Sequence, residues 1–180
     1  MPGFEIINEK ELIELQNIFK KSNGVLFSHG SDHRRNKIFR VRQFENNLKS
    51  YFKAPYVLCV TSGTAALKIA LKACGVKKGD EVIVPCETFI ATGMAGTSQG
   101  GKVVFANISP NTFCLDLNEI KKRVTKKTKA VMLVHFGGYM PFDVVEIKKY
   151  CKQKGIFLIE DCAHAVGSKM GRYMAGSIGN

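Results

Sequence analysis

No stretch of this 180-residue sequence is apolar for long enough to span a bilayer, so no membrane partner is expected. The six cysteines (59, 74, 86, 114, 151 and 162) contain no Cys-x-x-Cys pair, and several fall within apolar strand or helix patterns. That arrangement reads as reduced core residues of a cytoplasmic protein and argues against a disulfide framework or a zinc site. Met1-Pro2-Gly3-Phe4-Glu5 offers neither a basic start nor an apolar run, and no signal peptide is expected. The Gly-x-x-x-x-Gly-Lys phosphate loop and the Gly-x-Gly-x-x-Gly dinucleotide fingerprint are also missing. So are internal repeats, low-complexity tracts and linkers.

Acidic residues are scarce: 15 against 27 Lys and Arg, a net charge of +12. Such a balance permits nucleic acid, an anionic membrane or a small phosphorylated substrate as partner. No recognised nucleic-acid motif accompanies the charge, which weighs against the first. Two clusters supply much of it. Lys121, Lys122, Arg123, Lys126, Lys127 and Lys129 sit at a helix end and the loop after it, where cations suit the dipole and a solvated surface suffices. Arg34, Arg35, Lys37, Arg40 and Arg42 precede a helix and suit either plain surface or a phosphate- or subunit-contacting loop. Otherwise 45% hydrophobic and 23% charged residues describe an ordinary globular chain, long enough for one domain with a real core.

Asn8 and Glu11 have capping-box spacing, ahead of a helix with Leu12, Leu15 and Phe19 as its apolar stripe. A polar, irregular stretch from Ser22 to Asn36 leads to a second helix, about Val41 to Phe52, with Val41, Phe44, Leu48 and Phe52 on one side. Residues 1–55 thus read as an N-terminal helical segment. From 56 onward short apolar strands alternate with helices. The strands are Tyr56–Val60, Glu81–Val84, Lys102–Ala106, Ala130–Val134 and Ile156–Ile159. The helices are Ala65–Cys74, about Thr88–Ser98, one opened by a capping box at Asp116 and Glu119 and running toward Val124, and Val144–Lys154. Gly75 and Gly155 stand as C-caps, and Asp143 as a cap of the last helix. This alternation predicts an α/β fold, a three-layer sandwich with a mainly parallel sheet.

Ligands in such sheets bind at the carboxyl ends of strands, and four such ends carry unusual chemistry. After Val60 comes Thr61-Ser62-Gly63-Thr64-Ala65-Ala66-Leu67. It is either an ordinary helix start or a glycine turn whose free amides, dipole and hydroxyls meet an anion. After Val84, Phe89 opens a helix and serves as core or as an aromatic lid on a flat ligand. After Val134, His135-Phe136-Gly137-Gly138 suggests a tight loop near a ligand, with His135 packed structurally. After Ile159, Asp161 ends a buried strand, which costs energy unless a positive or protonated group pairs with it. A protonated pyridinium nitrogen, a metal, a helix terminus or a salt-bridge partner would each serve. Glu160 points the opposite way, because strand neighbours alternate.

Together these segments closely resemble fold type I pyridoxal-phosphate (PLP) enzymes, specifically the DegT/DnrJ/EryC1/StrS family of nucleotide-sugar aminotransferases. The resemblance rests on Ser62-Gly63-Thr64-Ala65-Ala66-Leu67, Gly79-Asp80-Glu81-Val82-Ile83-Val84-Pro85, Thr88-Phe89-Ile90-Ala91-Thr92 and Glu160-Asp161-Cys162-Ala163-His164, and extends to Gly176-Ser177-Ile178-Gly179. It implies an aspartate-aminotransferase-like large domain, of which residues 56–180 are the N-terminal part, without the small C-terminal domain. It further implies that Gly63, Thr64 and Ala65 bind the cofactor phosphate, that Phe89 stacks on the pyridine ring, and that Asp161 keeps the ring nitrogen protonated. His164 takes the place of the Gln or His near the phenolic oxygen. Two departures stand out: Cys86-Glu87 replaces an often uncharged pair, and Ser28–Arg40 is longer and more basic than in many members.

The family's Schiff-base lysine is expected beyond Asn180, since Lys68, Lys102 and Lys169 do not match its position; no catalytic residue of this type lies within the chain. The implied activity is transfer of an amino group from an amino acid, glutamate by resemblance, to a nucleotide-linked keto sugar by a homodimer. A PLP-dependent dehydratase with histidine in place of that lysine remains open, as does a noncatalytic fragment that binds a partner chain.

Overall fold

A parallel sheet needs helices on both faces to cover it, and the sequence supplies them in alternation. The computed structural model describes residues 6–22, 24–25 and 36–180. It divides into two compact units, Met1–Cys59 and Val60–Asn180.

The first unit contains α1 (Glu9–Lys21) and α2 (Arg40–Phe52). The Asn8 side chain accepts from Lys10 N–H and Glu11 returns to the Asn8 amide at 2.8 Å, the expected capping box. Both apolar stripes form yet neither helix buries a residue: Leu12, Leu15, Phe19, Val41 and Phe44 are all about half exposed. Of the first basic cluster, Arg40 pairs with Glu14 at 3.3 Å and Arg42 lies 4.5 Å over the Phe39 ring. Arg34, Arg35 and most of the expected polar stretch lie outside the described residues.

The second unit follows the order α3 (Gly63–Ala73), β1 (Glu81–Pro85), α4 (Ile90–Ser98), β2 (Lys102–Ala106), α5 (Leu117–Arg123), β3 (Thr128–Val134), α6 (Val144–Lys154), β4 (Phe157–Asp161) and a small antiparallel hairpin, β5 (Lys169–Met170) with β6 (Tyr173–Met174). The four long strands are parallel in the order β2-β1-β3-β4. Side chains alternate across the sheet and divide the core in two. Val82, Val84, Met132 and Ile159 pack with Leu71 of α3 and Ala95 of α4. Ile83, Val131, Leu133 and Leu158 pack with Ile120 of α5 and with Val144, Ile147 and Cys151 of α6. The result is the expected three-layer α/β sandwich.

Three expectations need correction. Tyr56–Val60 is not a buried strand: no described strand pairs with it, and Tyr56 and Leu58 are 88% and 72% exposed. An apolar run becomes a strand only when a neighbour takes up its amides and carbonyls. Asp143 occupies the N-cap position of α6 but leaves it uncapped, because its carboxylate accepts from Leu117 N–H at 2.8 Å and so ties the start of α5. Glu119 does not complete a capping box: Asp116 caps its amide, but the Glu119 carboxylate binds Lys122.

Leu133, fully buried on central β3, should lose about 3 kcal/mol on truncation to alanine. Leu58→Ala should cost less than about 0.5 kcal/mol in the same urea titration, because that side chain is exposed. Equal losses would show that Tyr56–Val60 is buried after all.

Candidate functional site

Chain order and sheet order disagree at one place. From β1 the chain moves outward to β2, then doubles back past β1 to β3 and on to β4. The crevice at the carboxyl ends of β1 and β3, where the direction reverses, is where such sheets bind ligands. Helix α3 lies on the α4 face of the sheet. A short turn joins its C-terminus to the start of β1, so its N-terminus lies at the carboxyl end of the strands.

At that N-terminus the Ser62 hydroxyl accepts from Ala65 N–H at 3.1 Å. The Ala65 amide is thus occupied, whereas those of Gly63 and Thr64, at the first two helical positions, have no acceptor within the helix. Gly63 is not among the glycines with positive φ, and a Cβ built there meets nothing within 4 Å. Glycine at 63 is therefore not required by the backbone; it leaves the space above two open amides clear, at the positive end of a helix dipole.

Phe89 follows β1 as the N-cap residue of α4 and is 73% exposed, so it is not a core side chain. Past β3, a turn of 3₁₀ helix (Phe136–Gly138) places Gly137 and Gly138 at φ +59° and +87°. A Cβ on Gly138 would stand 3.3 Å from both the His164 carbonyl and Ser168 Oγ, so a side chain here would be strained by its φ and crowded by the β4 loop. His164 Nδ1 accepts from Gly137 N–H at 3.3 Å and the ring meets Phe136 edge-on at 5.6 Å. That bond leaves the proton of a neutral His164 on Nε2, at an exposed position.

Asp161 ends β4 on the same face as Ile159, the face of α3 and α4. It is half-buried, and its carboxylate accepts from Ala163 N–H at 3.1 Å. Gly63, Thr64, Phe89 and Asp161 thus share one face of the sheet at one end, while His164 stands on the loop that continues from Asp161.

Strand alternation sets the direction of Glu160 but assigns it no task. The structure shows a hub: Oε2 accepts from His135 Nε2 at 2.8 Å and Gly176 N–H at 3.0 Å, while Oε1 accepts from Ile178 N–H at 2.7 Å and Gly179 N–H at 2.5 Å. An ionised carboxylate has about four acceptor positions, and all are taken. The side chains of His135 and Glu160 are 0% and 3% exposed. Burial pushes the Glu160 pKa up, but the four hydrogen bonds outweigh it and hold the group below its ordinary 4.5. His135, Glu160 and Cys162 bring donor atoms within 4.8 Å of one another. The Cys162 thiol, however, is pushed up to about 12 by burial and then by Glu160 and Asp161, and the Glu160 oxygens have no position to spare. This is a hydrogen-bond hub without the character of a metal centre. An acid beside Asp161 in an otherwise apolar strand was the available sequence signal.

The DegT/DnrJ/EryC1/StrS aminotransferase family model matches residues 30–180. The chain is 38% identical over 140 residues to GDP-perosamine synthase of Escherichia coli O157:H7, covering 78% of this chain and 38% of that protein. Among solved structures, an aminotransferase from Psychrobacter cryohalolentis superposes with TM-score 0.85 at 30% identity, over 96% of this chain and 41% of the other. NtdA from Bacillus subtilis, with bound cofactor PMP, superposes with TM-score 0.82 at 31% identity, over 96% and 38%. The chain therefore spans well under half the length of these relatives.

Because Glu160 is ionised in the fold below its ordinary pKa, its contribution to stability is full above about pH 4.5 and is lost as pH falls through the lowered value. Thermal midpoints measured from pH 7 to 3 should drop on the acid side, and Glu160→Gln should start lower and drop less. An identical acid limb in the variant would contradict the hub.

Proposed function

The chain belongs to the DegT/DnrJ/EryC1/StrS aminotransferase family, and from that premise we propose that it binds pyridoxal phosphate and provides the cofactor-holding elements for moving an amino group from an amino acid, glutamate, to a nucleotide-linked keto sugar. One observation carries this: a half-exposed carboxylate, an exposed aromatic ring and an open helix N-terminus share one face at one end of the sheet. These groups fit the nitrogen, face and phosphate of one flat anionic molecule. None of them is used up by the fold.

In this arrangement Gly63 and Thr64 donate backbone N–H to phosphate oxygens, with the Ser62 and Thr64 hydroxyls available beside them. Ala65, its amide held by Ser62, shapes the turn. Phe89 covers the ring and excludes water from that side. Asp161 keeps a proton on the ring nitrogen, and His164 offers its Nε2 proton to the phenolic oxygen. When bound, the cofactor supplies an electron sink for charge that develops on the substrate carbon.

By the resemblance, Lys68, Lys102 and Lys169 do not stand at the family's attachment position, and we propose that this chain binds pyridoxal phosphate noncovalently. The net charge of +12 suits a nucleotide diphosphate. The six free cysteines suit a cytoplasmic setting. Exposed apolar side chains such as Ile90 and Met94 suit association into a dimer.

Asp161→Asn removes a charge-assisted hydrogen bond of about 2 kcal/mol and should weaken pyridoxal phosphate binding about thirtyfold in an absorbance titration. An unchanged Kd, or no uptake by the parent chain, would refute the proposed site. Ser62→Ala should cost about 1 kcal/mol of stability by uncapping α3, with a further loss of phosphate affinity read from the same titration.

A further inference from the structure

We infer that Glu160, held by His135, is a positioning residue for Asp161, fixing from the far face of β4 the direction in which the Asp161 carboxylate points. The inference rests on the function proposed above. The only hydrogen bond to the Asp161 side chain, among the described residues, comes from Ala163 N–H in its own turn, so its aim depends on the backbone beneath it. That backbone is fixed by the two residues that also form the buried pair. His135 N–H donates to the Asp161 carbonyl at 3.1 Å while His135 Nε2 meets Glu160 at 2.8 Å, so one residue of the β3 loop grips two consecutive residues of β4.

The returning segment closes the edge. Gly176, Ile178 and Gly179 donate to Glu160, Asn180 N–H donates to the Leu158 carbonyl at 2.9 Å, and Leu158 N–H donates to Asn180 Oδ1 at 2.8 Å. A Cβ on Gly179 would stand 2.7 Å from the Leu158 carbonyl, so the segment lies directly against β4. An otherwise exposed sheet edge is held down within three residues of Asp161. Supporting groups behind a ligand-binding side chain govern how well it is preorganised.

The test uses the intact chain and ¹⁵N-labelled pyridoxal phosphate, reading both Kd and the ring-nitrogen chemical shift, at temperatures where circular dichroism shows each variant folded. Asp161→Asn sets the reference for a ring nitrogen without its acid. Glu160→Gln and His135→Leu should each weaken binding about tenfold, the lower end of what outer partners of ligating groups contribute, and move the nitrogen signal part of the way toward that reference. His135→Gln, which keeps a donor for Glu160, should restore both readouts. If Glu160→Gln does not fold, the two His135 variants carry the comparison.

Lower melting temperatures with parent Kd and parent nitrogen shift in Glu160→Gln and His135→Leu would overturn the inference and leave the pair as scaffold. A parent chain that takes up no pyridoxal phosphate would overturn the proposed function, and this inference with it. Binding that is lost in Asp161→Asn but untouched in the other variants would overturn the inference alone.

Discussion

Two acids stand side by side at the end of β4, and a strand must point them to opposite faces. Much of the second unit is arranged around that fact. Both faces of a parallel sheet are covered, so the buried Glu160 carboxylate cannot rely on water, whereas half-buried Asp161 keeps part of its exposure. Glu160 meets the α5–α6 side, where the chain answers with one imidazole and three amides that fill every acceptor position. Asp161 meets the α3–α4 side, where the chain provides one amide and an opening. One carboxylate is fully satisfied by the protein and its neighbour is not. The second therefore remains able to pair with something positive from outside.

That opening follows from topology. A connection that reverses direction along the sheet must also change faces if crossovers keep their right hand. Helix α4 covers one face on the way from β1 to β2, and α5 and α6 cover the other on the way back through β3 to β4. Where the two directions part, neither helix layer closes the carboxyl end of the strands. The loops after β1 and β3 flank that gap. Phe89 stands exposed there because it precedes the first turn of α4. The two left-handed glycines after β3 fold their loop down against the one that carries His164.

The parts of this arrangement that could be read in advance are those that depend on neighbours in sequence. Val82 to Val84, Val103 to Phe105 and Val131 to Val134 are short apolar runs between turn residues, and each forms a strand within two residues of the expected bounds. Helix starts at Asn8, Ser62 and Asp116 were legible from short polar side chains three residues ahead of their partners. What escaped was set by distant pairing. Tyr56–Val60 has the composition of a strand, but ladder partners are not written in a run of five residues. Asp143 looked like a cap for the helix it precedes, yet it satisfies a helix that starts 26 residues earlier. Glu160 draws donors 16 to 25 residues away. The face on which it lies was legible; the groups that would meet it there were not. Asp161 enters as a proposed site residue through the family resemblance, since an acid ending that strand would by itself suit a metal, a helix terminus or a salt-bridge partner equally well.

The Glu160 hub also constrains the order in which the end of the sheet can form. Its carboxylate is comfortable when buried only with its donors present, because an ionised acid left unpaired in that position is costly. His135 reaches it only once β3 and β4 are paired, since the last pair in that register is Val134 with Asp161. The amides of Gly176, Ile178 and Gly179 reach it only after the β5–β6 hairpin has turned the chain back. Sheet pairing, hairpin closure and docking of the returning segment are therefore coupled through one side chain. Loosening any of them releases the others, and with them the end of the strand on which Asp161 sits.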